Sequence, residues 1–380
     1  MQILRKPLQR AYRKAIKLGS KATIDLIKKK GLSGRGGANF PTGSKWEMVS
    51  KEKDSEKYLI CNADEGEPGT FKDKFIIEKN PEALIEGILI AAYAIKAKKA
   101  FIYLRGEYDY LESKLKKAIT KIKNRTGSET PIEIVIGAGA YICGDETAIL
   151  ESIEGKRGQA RTKPPFPTVR GLYSKPTVIN NVETLANVPL AMLYDDWNKN
   201  LRLYSLSGNV TRPGVYELPL GTPLCDLIKL GRPKNPIKAV FFGCFGGCIP
   251  HCDIPLHPDA ICGKECMLGS CTIIAVDEKQ SIVDLVTNIA KFYEFESCGK
   301  CTPCREGTYR ILNILENISM KNADMKDLDT LKELAEVIKE TSFCGLGQTS
   351  TNHLLNALKY FRSEFEERVK EKKTRKRTAR

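Results

Sequence analysis

The spacing of apolar and polar positions changes character twice along the chain. From residue 8 to 30, "LQRAYRKAIKLGSKATIDLIKKK" repeats apolar residues at helical spacing against a basic face, which predicts one amphipathic helix. "KYLICNADEGEPGTFKDK" begins as a short buried strand and ends in an acidic loop. "NPEALIEGILIAAYAIKAKK" predicts a helix with Pro81 near its start, a position that needs no N–H. "AFIYLRGEY" predicts a strand, "LESKLKKAITKIKNRTG" a helix closed by glycine, and "PIEIVIGAGAYICGDETAILESIEG" a strand, a glycine turn and a helix. Strands alternating with helices predict a parallel sheet, hence an α/β domain over residues 1–192.

After residue 200 the segments shorten. "LRLYSLSGNVTRPGVYELPLGTPLCDLI" reads as two strands about a turn and a helix start, and "AVFFG" and "CTIIAVD" as further strands. This predicts a small α+β domain over 200–278. From Ser281 the period is helical throughout: "IVDLVTNIAKFYEFE", "TYRILNILENI", "LDTLKELAEVIKE" and "NHLLNALKYFRSEFEERV". Together they predict a helical bundle over 281–367. The remaining 368–380, "RVKEKKTRKRTAR", is a basic tail that reads as a solvated helix end.

Composition changes this picture little. At 42% hydrophobic and 28% charged, the chain is of ordinary globular type. Its longest apolar stretch, "GILIAAYAI", falls far short of the ~20 residues that cross a bilayer. The start "MQILRKPLQR" has no apolar signal core, so a cytoplasmic protein is expected, touching a membrane only through partner subunits. The net charge of +15 suggests nucleic acid or another anionic partner. A zinc-stabilised nucleic-acid-binding protein is the reading of a different class. It leaves the glycine and acidic loops unexplained and lacks aromatic residues interleaved with basic ones.

The 13 cysteines change more. With no sign of secretion, a disulfide framework is not expected, and dense intracellular cysteines point to metal or clusters. "ESCGKCTPCREG" sets Cys298, Cys301 and Cys304 at C-x-x-C-x-x-C, and Cys344 follows in "TSFCGLGQTS". Three thiolates on one loop plus one distant ligand suit a [4Fe–4S] cluster. Structural zinc, the rival, more often uses two C-x-x-C pairs. A second group, Cys244, Cys248, Cys252, Cys262, Cys266 and Cys271, lies with His251 and His257 in "GCFGGCIPHCDIPLHPDAICGKECMLGSC". It reads as a second cluster, a zinc site, or buried apolar thiols; no C-x-x-C occurs there.

"GLSGRGGANFPTG" holds five glycines between Gly31 and Gly43. It fails the dinucleotide fingerprint G-x-G-x-x-G, because Asn39 stands where a glycine would fall and a helix precedes it. A glycine-lined anion cradle remains, with Arg35 and Lys45 supplying positive charge. The acids of "CNADEGEPGTFKD" read either as a solvated turn or as ligands for a cation, for ribose hydroxyls or for a flavin edge.

These motifs, with "KPPFP", "KPTVINNVETLANVP" and "SGNVTRPGVYELPLGT", make the chain resemble the NADH-binding flavoprotein subunits of respiratory complex I and of NAD-linked hydrogenases and formate dehydrogenases. The resemblance runs over nearly the whole chain. It implies a Rossmann-like α/β FMN-binding domain, a small ubiquitin-like (β-grasp) domain and a helical bundle carrying a [4Fe–4S] cluster at Cys298, Cys301, Cys304 and Cys344. It places FMN at Gly34, Arg35, Gly36, Gly37, Ala38, Lys45, Asn62, Asp64, Glu65, Tyr141, Gly144, Glu146, Asn180, Asn181 and Thr184. It places NAD(H) at Phe40, Glu67 and Phe166, where aromatic faces would stack the nucleotide. The implied activity is an NADH dehydrogenase (diaphorase) step: hydride passes between NADH and FMN, and single electrons go on through the cluster. A thioredoxin-like [2Fe–2S] subunit and further iron–sulfur subunits are the implied partners. Glu67 would also oppose a 2′-phosphate and so favour NADH over NADPH. Departures are Asn39 for a glycine, Met48 for an aromatic and Asp145 for a glutamate.

Overall fold

The computed structural model describes residues 1–7 and 9–369, so the basic tail from residue 370 lies outside the described residues. The chain forms two compact units: residues 1–66, 71–203 and 217–219, and residues 67–70, 204–216 and 220 onward.

The first unit is built on four strands, β1 (Tyr58–Ala63), β2 (Lys99–Leu104), β3 (Ile132–Ile136) and β4 (Thr177–Asn181), in the order β3-β2-β1-β4. All pairings are parallel. Helices Pro81–Ile95 and Val182–Leu193 pack on each other and on this sheet. Gly87 permits their approach: a Cβ there would come within 1.9 Å of the Leu185 carbonyl oxygen. The one acid in the interior of that apolar helix, Glu86, is buried because its carboxylate accepts the backbone N–H groups of Gln9 and Tyr12 at 3.0 and 2.9 Å. It thereby satisfies N–H groups that a helix start leaves without internal partners. The single helix expected over 8–30 is in fact two, Arg10–Leu18 and Ser20–Lys30, broken at Gly19 with φ +84°.

The second unit carries a mixed sheet of β5 (Leu201–Gly208), β6 (Gly214–Pro219), β7 (Ile237–Phe241), β8 (Cys248–Ile249) and β9 (Thr272–Asp277), in the order β6-β5-β9-β7-β8. β5 and β9 are parallel; β7 is antiparallel to both β9 and β8. Helices Ile282–Glu296, Thr302–Ser319, Met325–Thr341 and Asn352–Tyr360 follow. The last predicted helix breaks at Phe361 before resuming over 362–369. Sheet and helices share one core, in which Phe241, Cys248 and Val276 join Val283, Leu315, Leu331 and Leu354. Among the described residues no helix is long and apolar enough to cross a membrane.

Candidate functional site

The order β3-β2-β1-β4 fixes where the first unit can bind a ligand. The chain runs outward from β1 through β2 and β3, then returns to the other side of β1 as β4. Connections therefore diverge between β1 and β4, leaving a crevice beyond their carboxyl ends, where open α/β sheets take ligands. Asn62 in β1 is in register with Asn181 in β4, and Cys61 with Asn180.

Loops expected at the flavin converge there. Asn62 Nδ2 donates to the Gly144 carbonyl at 3.0 Å, and Asn62 Oδ1 accepts the Asp64 N–H at 3.0 Å. Gly66 lies against Tyr141, where a Cβ would meet the ring at 3.0 Å. A Cβ on Gly36 would press on Asn181 at 3.2 Å, and the Arg35 N–H donates to Thr184 Oγ1 at 2.8 Å. Trp46 Nε1 holds Asn180 Oδ1 at 2.8 Å. Lys45 pairs with Glu146, reaches the Ile179 carbonyl at 3.2 Å, and lies 5.9 Å from the Phe40 ring centroid. Gly37 and Ala38 belong to the same loop, whose base is tied by the Gly34 N–H to Phe40 carbonyl bond of 2.8 Å. Phe40 is 41% and Phe166 56% exposed, unusual for phenylalanine and suited to stacking.

Three expectations take a different form. The Arg35 guanidinium is anchored to backbone, donating to the carbonyls of Leu201 and Lys199, each at 2.9 Å. Glu65 is no surface acid but a buried cap, accepting the N–H groups of Asp73 and Lys74 at 2.8 and 3.0 Å. Burial, and then Asp73, push its carboxyl upward. Glu67 belongs to the second unit, where its carboxylate accepts from Ser270 Oγ and from the Cys244 N–H at 3.1 Å. Burial raises its pKa to about 7 against the pull of those donors.

Sequence reasoning missed the cluster beneath these loops. Lys72 is 2% exposed, with Nζ 2.8 Å from Asp73 Oδ1 and 3.1 Å from Glu183 Oε2. Asn181 Nδ2 donates to Asp73 Oδ2 at 2.5 Å, while its Oδ1 caps the next helix through the Glu183 N–H at 2.9 Å. Burial alone would lower the Lys72 pKa, but Asp73, Glu183 and Glu65 outweigh it and raise it. The only signal was position, Lys72 and Asp73 inside "TFKDK" and Glu183 inside "NNVETL". Asp145 accepts the Thr147 and Ala148 N–H groups at 2.8 and 3.1 Å and so serves as a helix N-cap.

In the second unit, Cys298 and Cys301 lie on the loop before helix Thr302–Ser319, Cys304 in its first turn, and Cys344 at the N-cap of Gly345–Thr349. Lys300, 4.6 Å from the Phe343 ring centroid, ties the two loops together. Burial pushes the Cys304 thiol up to about 11; the Ser297 hydroxyl at 3.4 Å opposes this, and Cys301, Cys344 and Cys298 add to it. Cys304 thus stands within electrostatic reach of the other three thiols. Three thiolates beside one helix start and a fourth on a separate loop are the Cys₄ donor set that iron–sulfur clusters use.

Of the six cysteines of 244–271, Cys248 and Cys266 are neighbours, the Cys266 sulfur lying 3.6 Å from the Cys248 carbonyl oxygen, but no three of the six bring their sulfurs within 4.8 Å of one another. Cys244 faces Tyr293 Oη at 3.6 Å, Cys248 lies in the shared core, and Cys266 faces Asn356 Oδ1 at 3.4 Å. Cys262 is exposed and Cys271 is buried. Burial raises the Cys248 thiol and pushes that of Cys266 to about 12, as for apolar core thiols. Cys252 is bonded to Cys225, so the expectation of no disulfide fails.

A parallel sheet with a glycine-cradled switch point and a four-thiol helical unit define an iron–sulfur flavoprotein. Family models agree: residues 27–190 match the Nuo51 FMN-binding domain, 203–231 the SLBB domain, and 284–368 the NADH-ubiquinone oxidoreductase-F iron-sulfur binding region. The chain is 43% identical to an NADH-quinone oxidoreductase subunit of Streptomyces coelicolor, over 94% of this chain and 85% of that one. It is 44% identical to the corresponding NADH-quinone oxidoreductase subunit of Aquifex aeolicus, over 94% and 88%. It superimposes on a chain of an NAD+-reducing [NiFe]-hydrogenase in the H2-reduced state with TM-score 0.88 and 37% identity, over 96% of this chain and 65% of that one. The air-oxidized state gives TM-score 0.90 at 37% identity, over 97% and 66%, so the chain spans about two thirds of those hydrogenase chains. The chain belongs to the family of NADH-quinone oxidoreductase subunits that join a Nuo51 FMN-binding domain to an iron–sulfur binding region.

Proposed function

We propose that this chain is the electron-entry subunit of a multi-subunit NADH-oxidising complex, holding FMN in its first unit and a [4Fe–4S] cluster in its second. The carrying observation is that one chain matches both the FMN-binding model over 27–190 and the iron–sulfur model over 284–368. Bound FMN would supply the conversion of a two-electron hydride into single electrons. The protein's own part is binding and placement. The glycine loop 34–38 brings backbone close to the ligand, Lys45 supplies a cation, and Asn62, Asp64, Tyr141, Gly144, Glu146, Asn180 and Thr184 line the crevice. Arg35, Glu65 and Asn181 act by holding those loops in place. Phe40 and Phe166 offer faces to the nucleotide, and Cys298, Cys301, Cys304 and Cys344 would ligate the cluster.

Finer points extend this reading. The order β6-β5-β9-β7-β8, with a parallel central pair, supports a ubiquitin-like (β-grasp) domain over 200–278 beside a helical bundle over 281–367. A thioredoxin-like [2Fe–2S] subunit is the expected acceptor, in the cytoplasm. The superposition on an NAD+-reducing hydrogenase favours one second reading, the same module feeding a hydrogenase. Lys45→Ala tests the FMN assignment: flavin titration followed by fluorescence quenching should show a Kd raised at least tenfold, whereas an unchanged Kd removes Lys45 from the site. Glu67→Gln tests nucleotide choice. A lowered NADH/NADPH ratio of kcat/KM supports a role against the 2′-phosphate; an unchanged ratio leaves the residue only its seat on Ser270 and Cys244.

A further inference from the structure

Outside both sites, one set of side chains has donor atoms close enough to share an ion. The ligand atoms of Cys225, Cys252 and Asp253 lie within 4.8 Å of one another, the one such set of His, Cys, Asp and Glu among the described residues. Cys225 stands in the first turn of helix Leu224–Leu230, and Cys252 on the segment after β8. Their sulfurs form a disulfide with the Cα atoms 4.9 Å apart, and Asp253 Oδ1 lies 3.4 Å from the Cys225 sulfur.

The disulfide is not what joins the two segments. Leu256 N–H donates to the Thr222 carbonyl at 2.8 Å, Leu224 N–H to that of Ile254 at 2.9 Å, and Cys225 N–H to that of Cys252 at 3.2 Å. Ile254 and Leu256 are buried beneath this ladder. Opening the S–S bond would therefore leave both sulfurs and the carboxylate at one point. Both cysteines are half-buried, within reach of a small thiol or a hydrated ion.

We propose that Cys225, Cys252 and Asp253 form a redox-switched metal site that takes zinc or a similar thiophilic divalent cation when reduced. A dithiol reductant opens the bond by exchange: it leaves as its own disulfide, and its two protons pass to the Cys225 and Cys252 sulfurs. Zinc then displaces both protons and binds two thiolates and the Asp253 carboxylate, with water in the fourth position. The donor set fixes the class of ion. Thiolates select zinc over magnesium or calcium, and three anionic donors at one point repel unless a cation joins them. Oxidation by a disulfide partner reverses the exchange and expels the metal.

The test uses anaerobic holoprotein, reduced with a phosphine and given one equivalent of zinc. Native mass spectrometry reads the bound zinc, and iron and flavin contents are measured in parallel. Reduced protein is expected to bind one zinc at constant iron; oxidised protein, Cys225→Ser and Cys252→Ser should bind none while keeping their flavin. Asp253→Asn should weaken binding about tenfold or more. No zinc in the reduced protein overturns the proposal. So does zinc retained by both serine variants, or zinc gained only as iron is lost.

Discussion

Asn39 stands in the glycine loop at a position where the resemblance implies glycine, and its backbone shows why either residue fits there. Its φ is +52°, and Ser33 Oγ donates to its Oδ1 at 2.6 Å. Asparagine tolerates this left-handed region because its side chain bonds locally. Asn39→Gly should therefore leave the thermal midpoint and FMN affinity near wild type, and Asn39→Val should cost about 1–2 kcal/mol; equal behaviour of the two would contradict this. Lys72 makes a stronger demand. Lys72→Met strands Asp73 and Glu183 without their buried cation, a loss on the order of 3–5 kcal/mol in denaturant unfolding. A stability unchanged within about 1 kcal/mol would show that the acids simply take up protons. Glu67 sets a pH dependence. Its folded pKa of about 7 lies above the ordinary 4.5, so the folded state holds the proton more tightly. Its contribution is greatest at low pH and is lost as pH rises through about 4.5 to 7. The denaturation midpoint should fall over that range less in Glu67→Gln than in the parent.

At the scale of elements, the packing of helices Pro81–Ile95 and Val182–Leu193 turns on Gly87. Gly87→Ala must push the helices apart to clear the Leu185 carbonyl, and it should cost about 1–3 kcal/mol despite alanine's better helix propensity. A raised thermal midpoint would mean that the pair slides without strain. The same scale shows what the sequence made legible. β1, β2 and β3 are short apolar runs followed by turn residues, and each was readable. β4 was not, because "KPTVINN" joins a proline and two asparagines to a run too short to show a period. Helices Thr42–Lys51 and Lys72–Lys79 escaped for a related reason: each is short and carries charge among its apolar residues. Gly19 and Phe361 cut helices whose periodicity runs straight through them, since side-chain pattern does not report a backbone break.

For the whole molecule, ligand spacing and ligand placement were legible to different degrees. The candidate cluster ligands, Cys298, Cys301, Cys304 and Cys344, could be proposed from C-x-x-C-x-x-C plus one, a local property of the chain. The switch point did not, because it depends on strand order, which only the assembled sheet defines. Nor could spacing show that Cys225, 27 residues from Cys252, is its partner, or that no three of the six cysteines of 244–271 come together. The central claim is that one chain takes hydride from NADH at a flavin and passes electrons to a cluster held by Cys298, Cys301, Cys304 and Cys344. Anaerobic NADH titration of wild type and Cys344→Ser, followed by absorbance and electron paramagnetic resonance, tests it most directly. Wild type should carry one flavin and one [4Fe–4S] cluster, the flavin bleaching with NADH and the reduced cluster giving a resonance; Cys344→Ser should keep the bleaching and lose the resonance. A protein whose flavin NADH does not bleach, or a cluster signal that survives in Cys344→Ser, would contradict it.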